Sequence, residues 1–155
     1  MRKPVVAIVL STAVTLAACG GGEGPGEPLL SGELAGTYKG QAFTPTFGFV
    51  TLYEGTNLIG LGDGPLNCAS PQRPDPPSGT NAMLVLSTLE VKTYSSVLVQ
   101  ILRNNGNFEG TGSNSGTVTL TAVNDTSVAG TVSYSYTDAS QTYGLSGSFE
   151  VARCP

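Results

Sequence analysis

From Thr117 to Val151 apolar and polar residues alternate with a period of two, interrupted by two short turn sequences. Thr117, Thr119 and Thr121 fall on one face, with Val118, Leu120 and Ala122 on the other. After Asn124-Asp125-Thr126, the set Val128, Gly130, Val132, Tyr134 and Tyr136 opposes Thr131, Ser133, Ser135 and Thr137. After Asp138-Ala139-Ser140-Gln141, the set Tyr143, Leu145, Gly147, Phe149 and Val151 opposes Ser146, Ser148 and Glu150. Successive side chains on a strand point to opposite faces, so each run has one face to bury and one to leave in water. β-Branched and aromatic residues suit that half-buried, pleated surface. The pattern predicts a three-strand antiparallel meander.

The first half of the chain is less regular. Gly36 to Phe43, Thr46 to Glu54 and Asn57 to Leu61 read as strands, the last two joined by Gly55-Thr56. Asn81 to Ser87 and Ser96 to Arg103 are more continuously apolar, as strands buried on both faces are. Thr88 to Tyr94 either extends the first of these or pairs separately. Asn104-Asn105-Gly106 is a turn signal, followed by a short piece around Phe108. About eight strands result, with no amphipathic helix. Many short strands with Gly-rich turns predict an all-β fold, an antiparallel β-sandwich or a closed β-barrel.

One segment breaks the rhythm. Residues 62–80 carry Pro65, Pro71, Pro74, Pro76 and Pro77, together with Asp63, Cys68, Arg73 and Asp75. Loops longer than about 12–15 residues without structure of their own are uncommon and tend to be functional or disordered. Asp63, Arg73 and Asp75 are the candidate contact residues of this loop. The alternative is an insertion tied down for stability alone.

The N-terminus has a different character. Met1-Arg2-Lys3 is basic, Pro4 to Val14 is mostly apolar, and Leu16-Ala17-Ala18-Cys19 follows. The apolar run is shorter than the roughly 20 residues that a spanning helix needs, and Ser11, Thr12 and Thr15 interrupt it. This order of charge, apolar run, small residues and cysteine resembles the lipobox of bacterial lipoproteins. The resemblance covers only about the first 19 residues. It implies a signal peptide over 1–18, cleavage before Cys19, and a membrane anchor of acyl chains such as palmitate on that cysteine. Gly20 stands where such proteins commonly carry an inner-membrane-retaining Asp, which implies the outer membrane of a Gram-negative cell. Residues 19–29, rich in Gly and Pro, then read as a tether, and 30–155 as a single domain of ordinary size.

With Cys19 assigned to lipid and the envelope oxidising, a Cys68–Cys154 disulfide is expected. Two free buried thiols are the alternative. The formal net charge is −4, and Lys39, Arg73, Lys92, Arg103 and Arg153 are scattered singly. Binding a phosphate backbone needs several cations on one surface, so nucleic acid is not an expected partner. Histidine is absent from the chain, which excludes Ser-His-Asp and Cys-His catalysis and His-ligated metals. Of Glu33, Glu54, Asp63, Asp75, Glu90, Glu109, Asp125, Asp138 and Glu150, most sit at turns or on polar faces, without the spacing of a catalytic pair or a calcium loop. Lys39 and Lys92 read as exposed on strands. Tyr134, Tyr136 and Tyr143 share the apolar side of their strands, whereas Tyr38, Tyr53 and Tyr94 are ambiguous.

The expectation is a non-enzymatic envelope lipoprotein without cofactor or metal, contacting an envelope protein or glycan through the 62–80 loop. Two alternatives stand beside it: an assembly accessory with no ligand of its own, and a barrel that holds a small apolar ligand.

Overall fold

The computed structural model describes residues 30–64, 79–104 and 108–154. Nine strands follow one another: β1 (Leu34–Tyr38), β2 (Gln41–Phe43), β3 (Phe47–Tyr53), β4 (Thr56–Gly62), β5 (Gly79–Leu86), β6 (Thr93–Asn104), β7 (Phe108–Val123), β8 (Ser127–Asp138) and β9 (Gln141–Arg153). There is no helix among the described residues.

Strands β3 to β9 pair in sequence order, and β9 returns to β3, closing a barrel of seven strands. The β1–β2 hairpin is an addition on β9. An odd number of strands cannot alternate direction all the way round, so one neighbouring pair must run parallel. That pair is β3–β9, joined at Phe49–Ala152 and Val50–Arg153. The remaining pairings are antiparallel. Closure leaves the seven strands no long free edge to template aggregation.

One edge of β9 serves two partners in turn. Leu34 to Thr37 pair with Gly147 to Gly144, Ser31 bridges to Glu150, and β3 takes over at Ala152. β1 can lie this close because residue 147 is glycine. Its φ is +127°, and a Cβ there would stand 1.9 Å from the Glu33 carbonyl oxygen.

The inward rows of the strands fill the barrel. Val50, Ile59, Leu84 and Val99 form one row along the ladders, and Leu61, Ala82 and Ile101 another. Val118, Leu120, Val128, Val132, Leu145, Phe149 and Val151 complete the core from the meander, and Leu34, Tyr38 and Phe43 from the added hairpin. A second apolar set lies on the outer face, where Phe49, Leu58 and Met83 are also buried. The Phe49 ring packs against Gly60, where a Cβ would stand 2.8 Å from it.

The expected meander is present as β7, β8 and β9, and the fold is a barrel rather than a sandwich. Four local expectations are corrected. Gly36 to Phe43 is two strands, because Lys39 and Gly40 turn the chain with φ of 49° and 78°. The piece at Phe108 and the run Thr117 to Val123 are one strand, with register shifts against β6 between Tyr94 and Val99. β5 is buried on both faces, but Val97 to Ile101 alternates between buried and more exposed, because only one face of β6 is covered. Lys39 lies in a turn and Lys92 in the β5–β6 connection, neither on a strand.

The up-and-down course sorts the connections to two ends. The Lys39-Gly40 turn, the roots of the β4–β5 connection, the end of β6 with the start of β7, and the β8–β9 turn share one end, called the loop end. Glu54-Gly55, residues 87–92, the β7–β8 turn and the C-terminus of β9 share the other.

Candidate interaction face at the loop end of the barrel

The long connection narrows to residues 63–78, because β4 runs to Gly62 and β5 starts at Gly79. Its first root is fixed by side chain and backbone together. The Thr80 amide donates to Asp63 Oδ1 at 2.6 Å, and the Asp63 amide donates to the Thr80 carbonyl at 3.1 Å. Asp63 itself is exposed, while Thr80 is buried. Beside them Asn81 is buried on the outer face with its side-chain oxygen against Gly62, and its Nδ2 has no acceptor among the described residues.

Thr80 passes the connection inward. Its Oγ1 accepts a hydrogen bond from Arg103 Nε at 2.9 Å, and the Arg103 guanidinium lies 4.6 Å from the centroid of the Tyr38 ring. Tyr38 ends β1 and plugs this end of the barrel, only 2% exposed. Tyr143 meets it edge to face at 5.6 Å and 81°, and Tyr136 lies beyond Tyr143 at 6.3 Å. Such edge-to-face contact sets the positive rim of one ring against the negative face of the other. Glu109 Oε2 accepts from Lys39 Nζ at 2.7 Å and from the Tyr38 hydroxyl at 3.4 Å. Asp63, Thr80, Arg103, Tyr38, Glu109 and Lys39 thus form one connected chain of contacts from the loop root across the barrel end.

The charges of this face shift one another. The hydrogen bond from Lys39 lowers the Glu109 carboxyl pKa below the usual value. The same bond raises the Lys39 ammonium, with the Tyr38 phenol contributing next. Burial raises the Tyr38 phenol, opposed by Lys39 and reinforced by Glu109. Burial also raises Tyr134, against the hydrogen bond from Ser113. The face therefore carries ionised Lys39, Glu109 and Arg103 around a neutral aromatic plug. That combination offers donors, an acceptor and ring edges to a polar partner, without an activated nucleophile among these groups.

Of the contact residues expected from sequence, Asp63 joins this network. Arg73 and Asp75 lie outside the described residues, as do Cys19, Cys68, the whole of 1–18 and 19–29, which read from sequence as signal peptide and tether, and residues 65–78 of the loop. Cys154 is described, and no second cysteine lies among the described residues. Its amide donates to the Val50 carbonyl at 2.8 Å. Sequence reasoning did not single out Tyr38, Lys39, Arg103 and Glu109 as a group. They are separated by up to 71 positions, and only the barrel's closure brings them together.

A shallower groove of about 230 Å³ lies on the outer face over β3 to β6, lined by Tyr53, Glu54, Thr56, Leu58, Met83, Val85 and Gln100. No three His, Cys, Asp or Glu side chains among the described residues come together as a metal site requires. No protein-family model matches the chain, and no curated protein or solved structure matches it.

Proposed function

We propose that this protein is a non-enzymatic interaction module, lipid-anchored through Cys19 in the outer membrane of a Gram-negative cell. Its contact face is the loop end of the barrel. The observation that carries this reading is the continuous contact from Asp63 through Thr80 and Arg103 to Tyr38, Glu109 and Lys39. It joins the root of the proline-rich connection to an exposed ion pair around an aromatic plug. A barrel built only to hold its neighbours apart needs no such face. A proline-restricted segment loses less conformational freedom on binding, which favours contact through the loop. A lumen for a small apolar ligand is the weaker reading, because core side chains occupy the interior rows of the described strands.

Cys68 is the proposed partner of Cys154. Cys68 lies six positions after Gly62, a reach of up to about 20 Å, enough to return to the β3 edge where Cys154 is held.

Capture from solubilised envelope extracts tests the function. The full-length protein is the bait, beside one variant with Pro71 to Ser78 replaced by a short Gly-Ser linker and another with Lys39→Glu. A specific protein or glycan retained by the wild type and lost by both variants supports the reading. A partner retained equally by all three overturns the loop end as the contact face.

A further inference from the structure

Four outward-facing residues of β3 to β5 are closed off from water within the single chain: Phe49 at 0%, Asn81 at 1%, Met83 at 2% and Leu58 at 6% exposure. The ladders set them in adjacent rows. Phe49, Gly60 and Met83 form one, Gly62 and Asn81 the next toward the loop end, and Leu58 the next away from it. A side chain packed on one face of a sheet keeps its far side open to water unless a further layer lies on it. The described residues supply no such layer: all nine strands belong to one sheet, and the β1–β2 hairpin turns its apolar residues to the core. Asn81 Nδ2 is buried on the same face without an acceptor.

The β4–β5 connection leaves the barrel toward this face. Gly79 shares the outward parity of Asn81 and Met83, and a Cβ on it would meet Asp63 Oδ1 at 3.2 Å and Gly64 Cα at 3.3 Å. Gly64 therefore already lies on the outer side of β5. Met83 is four residues along β5 from Gly79, about 13 Å. Residues 65–78 reach out and back up to about 25 Å from those roots, so they can run over Asn81 and Met83 and return. Their composition suits an apolar surface, with five prolines, Leu66 and Ala69. Proline brings apolar area without an N–H that needs an acceptor, and its carbonyl stays available to a donor such as Asn81 Nδ2.

We propose that residues 65–78 dock on the outer face of β3 to β5, packing against Phe49, Leu58 and Met83 and giving a backbone carbonyl to Asn81 Nδ2. The proposed Cys68–Cys154 bond acts in the same direction, because the Cys154 amide is held by Val50, the neighbour of Phe49 on β3. Residues 19–29 are the competing occupant. They are chiefly Gly, Glu and Pro, with little apolar surface to offer. The chain they lead into is bonded at Leu30 to Thr46 and at Ser31 to Glu150, along the seam between β3 and β9 instead of over β4. The docking concerns the chain alone and stands whether or not the loop end binds a partner.

Met1 and Met83 are the two methionines of the chain, so photo-methionine incorporated into the full-length protein places one photoreactive group on this face. Irradiation should link Met83 to residues 65–78 of the same molecule, read by peptide mass spectrometry. No link to that segment, or links instead to residues 19–29 or to a second copy, overturns the docking. Oxidation gives a second reading. Hydrogen peroxide should convert Met83 to its sulfoxide slowly in the wild type, and several-fold faster in a variant whose residues 65–78, Cys68 apart, are replaced by Gly and Ser. Amide protection across β7 to β9 checks that this variant keeps the barrel, and without it the wild-type cross-link decides. Met83 oxidised as slowly in the folded variant as in the wild type, or rapidly in both, overturns the docking as well.

Discussion

The guanidinium of Arg103 lies over the ring of Tyr38 at 4.6 Å, while its Nε donates to Thr80 at 2.9 Å. One side chain thereby joins three parts of the molecule: β6, which carries it, the start of β5, and the β1–β2 hairpin that lies outside the seven-strand ring. The hairpin's ladder is short, with β1 matched to β9 over only Leu34 to Thr37. Side-chain contacts at its tip therefore decide whether it stays closed over the barrel end.

Arg103→Ala should destabilise the domain by about 1–3 kcal/mol, from the lost cation–π contact and the lost charged hydrogen bond to a buried hydroxyl. Arg103→Lys should recover only part of this, since an ammonium lacks the planar fork that satisfies both contacts. Urea unfolding at neutral pH measures both. A midpoint unchanged in the alanine variant would mean that Tyr143 and Glu109 hold the Tyr38 plug without Arg103.

Gly147→Ala tests how β1 reaches β9. The substitution places a Cβ on the Glu33 carbonyl and forces an L-residue to φ +127°. Backbone strain and overpacking each cost about 1–3 kcal/mol, so the expected response is loss of the β1–β9 pairing before loss of the barrel. Hydrogen exchange should show amides 34–37 losing protection while those of β7 and β8 keep it. Retained protection across β1 would show that the hairpin does not depend on this close approach.

The meander was legible in the sequence because each of its strands has one wet face, and a wet face writes the period of two. The split of Gly36 to Phe43 was hidden for a different reason. Lys39 takes a left-handed conformation without being glycine, so only Gly40 marked the turn. The continuity of β7 from Phe108 to Val123 was hidden because Gly110, Gly112 and Gly116 supply no side chain to mark a buried face. In the barrel they are strand positions where β6 approaches too closely for a Cβ. The loop-end face was the least legible part. Asp63 was found from its position beside the prolines. Lys39, Arg103 and Glu109 looked like isolated solvated charges until β1 was folded against β9 and β6 against β7.

Stability should depend on pH at both extremes through this same face. Glu109 titrates below the ordinary carboxylate range because Lys39 bonds it. Its contribution is therefore present above that range and is lost as pH falls through its lowered folded value. Lys39 is raised by the same bond, and its contribution is lost as pH rises through its folded value. The buried phenols of Tyr38 and Tyr134 are raised as well, so the protein should weaken further once alkali favours their ionisation in the unfolded chain. Glu109→Gln should flatten the acid limb of the urea midpoint against pH, and Tyr38→Phe part of the alkaline limb. Because the Lys39–Glu109 pair is exposed, both its contributions should shrink as salt is added. An acid limb unchanged in Glu109→Gln would remove the pair from the account of acid stability.

Replacing Cys19 with Ser should abolish incorporation of radiolabelled palmitate and release the protein from membranes, while the barrel stays folded. Among the described residues the core runs from Leu34 to Val151, with Leu30 packed against it. Circular dichroism of the released protein checks the second half of the expectation. Labelling that persists in the Ser variant would refute the anchor.

Cys154 follows the last strand, where its amide is held by Val50 on β3, the strand that closes the barrel in parallel with β9. That closing contact is the shortest ladder of the ring, matched at Phe49–Ala152 and Val50–Arg153. A disulfide at its end would therefore reinforce the place where the barrel is least securely zipped. If Cys68 is the other half, the bond spans a loop of about 85 residues and should stabilise the fold by roughly 4–5 kcal/mol in the chain-entropy model. A peptide map without reductant should yield linked fragments carrying Cys68 and Cys154. Cys68→Ser and Cys154→Ser should lower the melting temperature by the same amount, and the double variant by no more than either alone. Unequal losses, or free thiol at Cys68 in protein taken from the envelope, would assign the bond elsewhere. The proline-rich connection would then be held to the barrel by Asp63 and Thr80 without a covalent tie.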